Sequence, residues 1–445
     1  MIDRSQKPRL GPVRPFTFPS FDIWQLDNGL NVMAAPDPRV PMVMIRLVMG
    51  PGADQDPADA PGLTALTAAL LDEGTTSRSS LELAAAAERL GGYLTTSADW
   101  DCTRIETSLL SQDLAIGLDL VADVAMNPVF PEEEVERLKR QTMAHIRRRK
   151  MQPAVVAQDH FHRALYGSGP YSRPLLGTED SIAAIERSQV VDHHRSLSFP
   201  GAATIIIAGS YARNELAERV EQALGTWSAE ADARSDVAEP CDPRRVRLLL
   251  IDRPEAPQSE LCLGHLGLPR NHADYSLAAV ANALLGGKFT SRINLKLREE
   301  HACTYGAHSS FAKRRGAGPF TVTAAIDNDA VPLAIREVLR ELDRLRQETV
   351  PEDELAETID YLIGSFPYSC ETLAGIVHRL SDLAIFQLPK TYYDELPAAL
   401  AAVTPDEIMR CARQHIHPHR AVIVVAGPAD SLTNQLADIA AVERP

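Results

Sequence analysis

Two strong hydrogen-bond donors, Arg298 and Tyr305, lie seven residues apart in this sequence. The pattern predicts that Arg298 lies in the last turn of a helix and that Tyr305 begins the following strand. A guanidinium and a phenol both donate strongly, so the pair could stabilise negative charge in a cavity that contains little water. An alternative is that Arg298 caps the helix and pairs with Glu299 or Glu300, while Tyr305 packs in the core.

Histidine clusters are the other candidates for chemistry. His415, His417 and His419 alternate along the chain, as ligands on one face of an extended segment would. Pro418 and the position just before a predicted strand favour a solvated surface loop instead of a metal site. The remaining pairs lie in predicted helices, without an acid or cysteine at ligand spacing: His160 and His162, and His193 and His194. We therefore expect them to be ordinary surface or half-buried residues.

Composition excludes several classes of protein. A chain of 445 residues is too long for one ordinary core, so at least two domains are expected. The net charge of -15 disfavours nucleic acid or an anionic membrane as the main partner and favours basic peptides. No apolar run is long enough to span a membrane. The first twenty residues contain no apolar signal-peptide core, so we expect a cytoplasmic location, or a periplasmic one if a signal segment is removed.

The six cysteines are scattered and form no Cys-x-x-Cys pair. A disulfide framework is therefore not indicated, and we expect free thiols or small buried apolar side chains. The sequence contains no Gly-x-Ser-x-Gly elbow, phosphate-binding loop or dinucleotide fingerprint.

The chain contains an internal repeat. Three segments recur in the same order at an offset of about 214 to 220 residues, which indicates duplication. The pairs are 70–78 with 284–292, 130–135 with 350–355, and 205–209 with 422–427.

Each repeat begins with strand-like runs, continues with helical patterns and ends with an apolar strand that stops at a glycine. This order predicts an α+β fold with two homologous halves, each an antiparallel-rich sheet covered by helices. We expect an N-terminal half over 1–227, a polar linker over 228–245 and a C-terminal half over 246–445.

The segment 61–75, PGLTALTAALLDEGT, resembles the zinc-binding helix of pitrilysin/insulinase-type metallopeptidases, and the resemblance extends over nearly the whole chain. That family carries His-x-x-Glu-His on the helix, where two imidazoles one turn apart hold zinc and the Glu acts as general base. Here Ala65, Ala68 and Ala69 occupy those three positions, and none has a ligand atom. The third ligand of the family, a glutamate on a later helix, falls on His145. The resemblance therefore predicts no metal bound by this chain at these positions, although alanines at close helix contacts are an alternative explanation.

The second half retains the family's other signature. The segment 297–306, LREEHACTYG, resembles the Arg/Tyr motif, with Arg298 and Tyr305 at the matching positions and Ala302 where family members usually have glycine. The resemblance implies that both side chains donate hydrogen bonds to the substrate carbonyl beside the scissile bond. Donors aimed at developing charge contribute about 3 kcal/mol each in favourable cases.

Together these signatures resemble the non-catalytic subunit of a heterodimeric zinc metalloendopeptidase of the bacterial processing-peptidase type. The resemblance implies a zinc-bearing homologous partner, an extended peptide substrate and no peptidase activity from the lone chain. Two alternative functions also agree with these residues. One is a purely structural subunit, similar to the core proteins of the respiratory cytochrome complex, and the other is a chaperone that holds peptides without cutting them.

Overall fold

Two six-stranded mixed sheets form the framework of the chain. The computed structural model describes residues 16–228 and 245–445. The first sheet has the order β1-β2-β6-β3-β5-β4, and the second has the order β12-β7-β11-β8-β10-β9. The strands of the first sheet are β1 Asp22–Gln25, β2 Asn31–Pro36, β3 Met42–Met49, β4 Tyr93–Ala98, β5 Thr103–Leu110 and β6 Thr204–Gly209. Those of the second are β7 Arg247–Asp252, β8 Ser259–Leu266, β9 Thr304–Phe311, β10 Pro319–Ile326, β11 Val422–Gly427 and β12 Val442–Glu443.

Eight α-helices accompany the first sheet in the sequence. They are α1 Leu63–Leu70, α2 Ser80–Arg89, α3 Leu114–Met126, α4 Glu132–Lys150, α5 Pro153–Tyr166, α6 Glu179–Ala184, α7 Arg187–Leu197 and α8 Arg213–Leu224. Eight more follow with the second sheet. They are α9 Tyr275–Asn282, α10 Arg292–Asn294, α11 Val331–Gln347, α12 Glu352–Ser365, α13 Leu373–Phe386, α14 Tyr392–Ala401, α15 Pro405–His415 and α16 Ala429–Leu436. None of these helices combines the length and apolarity that a membrane crossing needs.

Five strands of each sheet share one topology, which confirms the α+β fold with two related halves. In each, a late strand lies beside an early strand in parallel, β6 with β2 and β11 with β7, while the other central pairs are antiparallel. The sixth strand differs, because β1 pairs with β2 in antiparallel and β12 pairs with β7 in parallel. The repeated Pro-Glu segments behave alike. Pro131 precedes α4 with ψ 137°, and Pro351 precedes α12 with ψ 139°. Proline fixes φ at a helix start, and the acids that follow complement the helix dipole.

Each sheet has one face in its own apolar core. In the first core, strand residues such as Ile45 and Ile205 pack against helices α1 and α3. In the second, Leu263 and Ile423 pack beneath helices α9 and α11. The five cysteines among the described residues are free and buried, as the sequence predicts, and Cys241 lies outside the described residues.

The other face of each sheet is covered by a helix from the opposite half. Helix α5, through residues such as Phe161, packs against strands β7, β8 and β11 of the second sheet. Helix α13, through residues such as Leu380, packs against β3 and β6 of the first sheet. The halves therefore cover each other, although the sequence predicts a division at 228–245. Most of that predicted linker, 229–244, lies outside the described residues.

The turn between β9 and β10 reaches into the first half. Lys313 bonds Asp382 of helix α13 at 2.6 Å, and Arg315 bonds the fully buried Asp54 at 2.6 Å. The backbone N–H of Arg315 also donates to the Asp101 carboxylate at 3.2 Å. Buried charges need such partners, so this turn fixes strand β9 relative to the first half.

Candidate functional site

Helix α1 carries the three alanines that occupy the zinc-motif positions. Ala65 and Ala69 are half-buried on one face, and Ala68 is fully buried. His145 is exposed on helix α4, which packs beside α1. Three methyl groups and one exposed imidazole do not provide the three ligands that a protein zinc site needs, so these residues do not fit a zinc ion.

A polar network anchors the start of helix α1. The Asp56 carboxylate accepts hydrogen bonds from the backbone N–H groups of Gly62 and Thr64 and from the Thr64 hydroxyl, at 2.6 to 2.9 Å. The Thr64 hydroxyl also lies 2.7 Å from Nε2 of His193. Burial raises the pKa of Asp56 to about 6 and lowers the pKa of His193 to about 4. His193 is therefore neutral at pH 7, and its role here is structural.

Arg298 and Tyr305 lie together, as the spacing predicts. Arg298 belongs to a short π-helical segment, Leu295–Glu300, and Tyr305 is the second residue of β9. The guanidinium carbon lies 5.3 Å from the centre of the Tyr305 ring and 4.5 Å from that of Phe289. Arg298 also contacts Glu299, with Nε 3.3 Å from the carboxylate. Tyr305 is 89% exposed, so the alternative that places it in the core is wrong.

The backbone around the pair is held by side-chain hydrogen bonds. The Asn294 amide donates to the Phe289 carbonyl at 2.6 Å, and its oxygen accepts the N–H of Ala307 at 3.0 Å. The Thr304 hydroxyl donates to the Ala325 carbonyl at 2.6 Å. These contacts join the helical segment, strand β9 and strand β10, so the site is built on fixed elements.

Ala302 makes the turn between the two donors. Its φ is 50°, in the left-handed region that favours glycine. The N–H of the next residue, Cys303, donates to the Leu297 carbonyl at 3.0 Å, which closes the turn. The sequence departs from glycine here, yet the chain adopts a backbone conformation that suits glycine.

An open cleft of about 620 Å³ surrounds Arg298 and Tyr305. Strand β9 forms one edge of its sheet, so its outer hydrogen-bonding groups lie beside the cleft. Phe289 and Tyr361 add exposed aromatic surface, at 64% and 48% exposure. Among the described residues that line this cleft, none belongs to helix α1 or helix α4. The donor pair and the zinc-motif positions therefore belong to separate parts of the chain.

The three alternating histidines do not converge. His415 ends helix α15 and lies 2.9 Å from the Asp274 carboxylate, so the surface loop expected there is wrong for this residue. The His417 ring packs against His265, and His419 is exposed beside Asp343. A different group forms instead, because potential ligand atoms of His272, Asp274 and His415 lie within 4.8 Å of one another.

The guanidinium of Arg410 binds the Asp274 carboxylate of that group, with two nitrogens 3.0 and 3.1 Å from its two oxygens. Hydrogen bonds from Arg410 and His415 lower the pKa of Asp274 to about 2. Because the Arg410 guanidinium already binds the Asp274 carboxylate, this group is an ion-pair network and not a metal site.

Known sequence families match both halves of the chain. The model described as "Insulinase (Peptidase family M16)" matches residues 31–179, and the one described as "Peptidase M16 inactive domain" matches residues 184–362. The chain belongs to the M16 peptidase family. An uncharacterized zinc protease of Streptomyces coelicolor is 24% identical over 437 residues, which cover 97% of this chain and 93% of that protein.

Solved structures of this fold are also similar. The peptidase M16 inactive domain from Pseudomonas fluorescens superposes with a TM-score of 0.86 at 26% identity, over 92% of this chain and 98% of that one. A chain of complex III₂ from Candida albicans superposes with a TM-score of 0.77 at 16% identity, over 92% and 97% of the two chains. The second likeness shows the shared fold alone.

Proposed function

We propose that this M16 chain is the non-catalytic subunit of a heterodimeric zinc metalloendopeptidase. It places Arg298 and Tyr305 against the substrate carbonyl at the zinc site of a homologous partner. The observation that carries the proposal is the separation of two functions along one chain. The zinc-motif helix presents only methyl groups at Ala65, Ala68 and Ala69, while the exposed Tyr305 and the half-buried Arg298 line an open cleft.

The chemistry of the pair supports a role toward a carbonyl oxygen. The Arg298 guanidinium offers N–H donors in a planar fork and lies over two aromatic rings, which restricts its orientation before substrate binds. The exposed Tyr305 phenol can donate from the adjoining strand. Donors already positioned need little reorganisation when negative charge develops, which makes them effective in catalysis.

The edge strand supports a peptide as substrate. An extended peptide can bind along β9 by main-chain hydrogen bonds, because no further strand from residues 16–228 or 245–445 pairs with that side of the second sheet. Such binding recognises the backbone of many peptides, and it would place a peptide carbonyl near Tyr305, the second residue of the strand.

Reconstitution tests the proposal. The chain is purified alone and together with homologous proteins that carry His-x-x-Glu-His, and zinc content and cleavage of a quenched fluorescent peptide are measured. We expect cleavage only from the mixture, with zinc in the partner. Stoichiometric zinc and full cleavage by the lone chain would contradict the proposal.

Tyr305→Phe separates the proposal from a purely structural role. The substitution removes one hydroxyl from an exposed side chain and leaves the fold intact. We expect cleavage by the assembled complex to fall. Unchanged cleavage, with the complex still formed, would favour a scaffold role. Peptide binding by the lone chain, together with no cleavage from any mixture with a homologous protein, would favour the chaperone alternative.

A further inference from the structure

Glu260 is an acidic residue in the cleft that holds Arg298 and Tyr305. It lies on strand β8 and is half-buried. Within residues 16–228 and 245–445, its carboxylate takes part in no hydrogen bond and no ion pair with another side chain. Burial raises its pKa, and no described cation offsets that effect.

Another acid, Glu354, shows how a partly buried carboxylate is paired in this chain. Two guanidinium nitrogens of Arg292, Nε and Nη2, donate to its two oxygens at 2.7 and 2.6 Å. A half-buried carboxylate without such a partner costs free energy, which an incoming cation would recover. Glu260 is therefore a vacant acceptor on the wall of a cleft and not a residue that holds the fold together.

The sheet register places Glu260 opposite the donor pair. Glu260 pairs with Ala325 of β10, and Ala325 lies at the bulge that faces Tyr305 and Gly306 of β9. Glu260 is thus two strand spacings from the edge, about 10 Å. Small residues form the surface between them, because Ala325 offers a methyl group and Gly306 has no side chain.

The charged residues of the cleft are divided between its two ends. Arg298 and Lys288 lie on the side of the helical segments, with the Lys288 ammonium 2.8 Å from the Thr358 hydroxyl. Glu260 lies across the sheet, with His308 on the edge strand between them. The cationic end suits a peptide carbonyl, and the acidic end suits a positively charged side chain of the same peptide.

We propose that Glu260 is a specificity-determining residue that receives a lysine or arginine side chain of the bound peptide across Gly306 and Ala325. The long methylene chains of lysine and arginine can lie along this surface of small residues while the charged group reaches the Glu260 carboxylate. This inference rests on the proposed function, because it assigns the substrate class to the same cleft.

Peptide binding to the full-length chain tests the inference. Fluorescein-labelled decapeptides of alanine and serine carry Lys, Arg, norleucine or Glu at the fifth position, and their dissociation constants are measured by fluorescence anisotropy. We expect the Lys and Arg peptides to bind about tenfold more tightly than the norleucine peptide, which corresponds to about 1.4 kcal/mol. The Glu peptide should bind most weakly.

Two variants of Glu260 test whether its carboxylate causes the preference for the Lys and Arg peptides. Glu260→Gln should bind all four peptides within about twofold of the norleucine value, and Glu260→Asp should keep part of the preference because it keeps the charge. Glu255→Gln is the matched control, since Glu255 is an exposed acid in the turn before β8. The control should behave as the wild type.

Two results would overturn the inference. One is a wild-type chain that binds no peptide or does not distinguish lysine from norleucine, and the other is a preference that survives in Glu260→Gln. Either result can occur while Tyr305→Phe still lowers cleavage by the assembled complex. Failure of this inference is therefore distinguishable from failure of the proposed function.

Discussion

The guanidinium of Arg298 lies over the ring of Tyr305, with 5.3 Å between the guanidinium carbon and the ring centre. The two residues belong to different elements, a π-helical segment and an edge strand. A cation over an aromatic face is stabilised by about 0.5 to 1 kcal/mol at an exposed site. The contact therefore orients both donors toward one cleft before any peptide is bound.

Arg298→Ala and Tyr305→Phe should each lower kcat/KM of the assembled complex on the order of 100-fold, the effect of removing one positioned donor. Tyr305→Phe should change the stability of the chain by no more than about 0.5 kcal/mol, because it removes one exposed hydroxyl. Arg298→Ala should cost about 1 kcal/mol, because it removes the contacts of the guanidinium with the rings of Phe289 and Tyr305. Peptide cleavage and urea denaturation measure the two effects. Tyr368→Phe is the control, since Tyr368 is also exposed but does not line the cleft, and equal losses from both tyrosine variants would contradict the assignment.

Ala68→Glu should destabilise the chain by more than about 3 kcal/mol, because Ala68 is fully buried and a glutamate there would bury an unpaired charge. Ala65→His and Ala69→His should cost less, since both positions are half-buried. Urea denaturation of the three single variants measures the difference. Similar stabilities for all three would show that helix α1 still has room for the family's ligands.

Ala302→Gly should stabilise the chain by about 1 kcal/mol. The alanine has φ 50°, where its Cβ strains the backbone, and glycine removes that strain at the cost of a more flexible unfolded state. Thermal unfolding checks the sign. A lower Tm for Ala302→Gly would mean that the turn tolerates the alanine without strain.

Arg315→Ala should destabilise the chain by about 3 to 5 kcal/mol, because it leaves the fully buried Asp54 without its ion-pair partner. Urea denaturation measures the loss. Arg195→Ala is the matched control, as it removes an arginine that is 74% exposed and pairs with an exposed aspartate, where about 0.5 kcal/mol or less is expected. A small effect of Arg315→Ala would mean that the β9–β10 turn does not hold the halves together.

Stability should fall in acid as Asp274 becomes protonated. Its pKa is held at about 2 in the folded chain, below the ordinary 3.8, by Arg410 and then His415. A lowered folded-state pKa contributes stability above pH 4, and that contribution is lost as the pH falls toward 2. Asp274→Asn should lower the free energy of unfolding by about 1 kcal/mol at pH 7 and by little at pH 2. An equal loss at both pH values would contradict this account.

The sequence was sufficient for much of the fold. Apolar spacing over 114–126 and a proline before the acids of 132–150 are local signals that predict helices there, and α3 and α4 have these bounds. The helical pattern of 284–300 contains Gly286 and Gly287, which predict an interruption, and the helical segment ends at Gly287 before α10 begins at Arg292. The pair Arg298 and Tyr305 was singled out by the resemblance of the segment 297–306 to the Arg/Tyr motif, because the spacing alone also fits a helix cap and a core tyrosine.

Contacts between distant segments were not predictable in this way. The place of helix α5 on the opposite sheet, the role of His193 at the start of α1 and the lining of the cleft by Glu260 depend on tertiary packing. Phe289 gave a weak signal, as an aromatic residue next to Gly286 and Gly287. The loop expected at His415 is wrong because helix α15 continues to that residue, and Pro418 lies beyond the end of the helix.

The reciprocal cover of the two sheets by α5 and α13 means that neither half is a self-sufficient folding unit. Isolated, each would expose an apolar strand face and would lack the helix that shields it. The chain should consequently unfold in one cooperative transition, and fragments separated between the halves should regain their shape only when mixed. In a duplicated protein, such mutual dependence preserves the structure of both copies even where their sequences diverge.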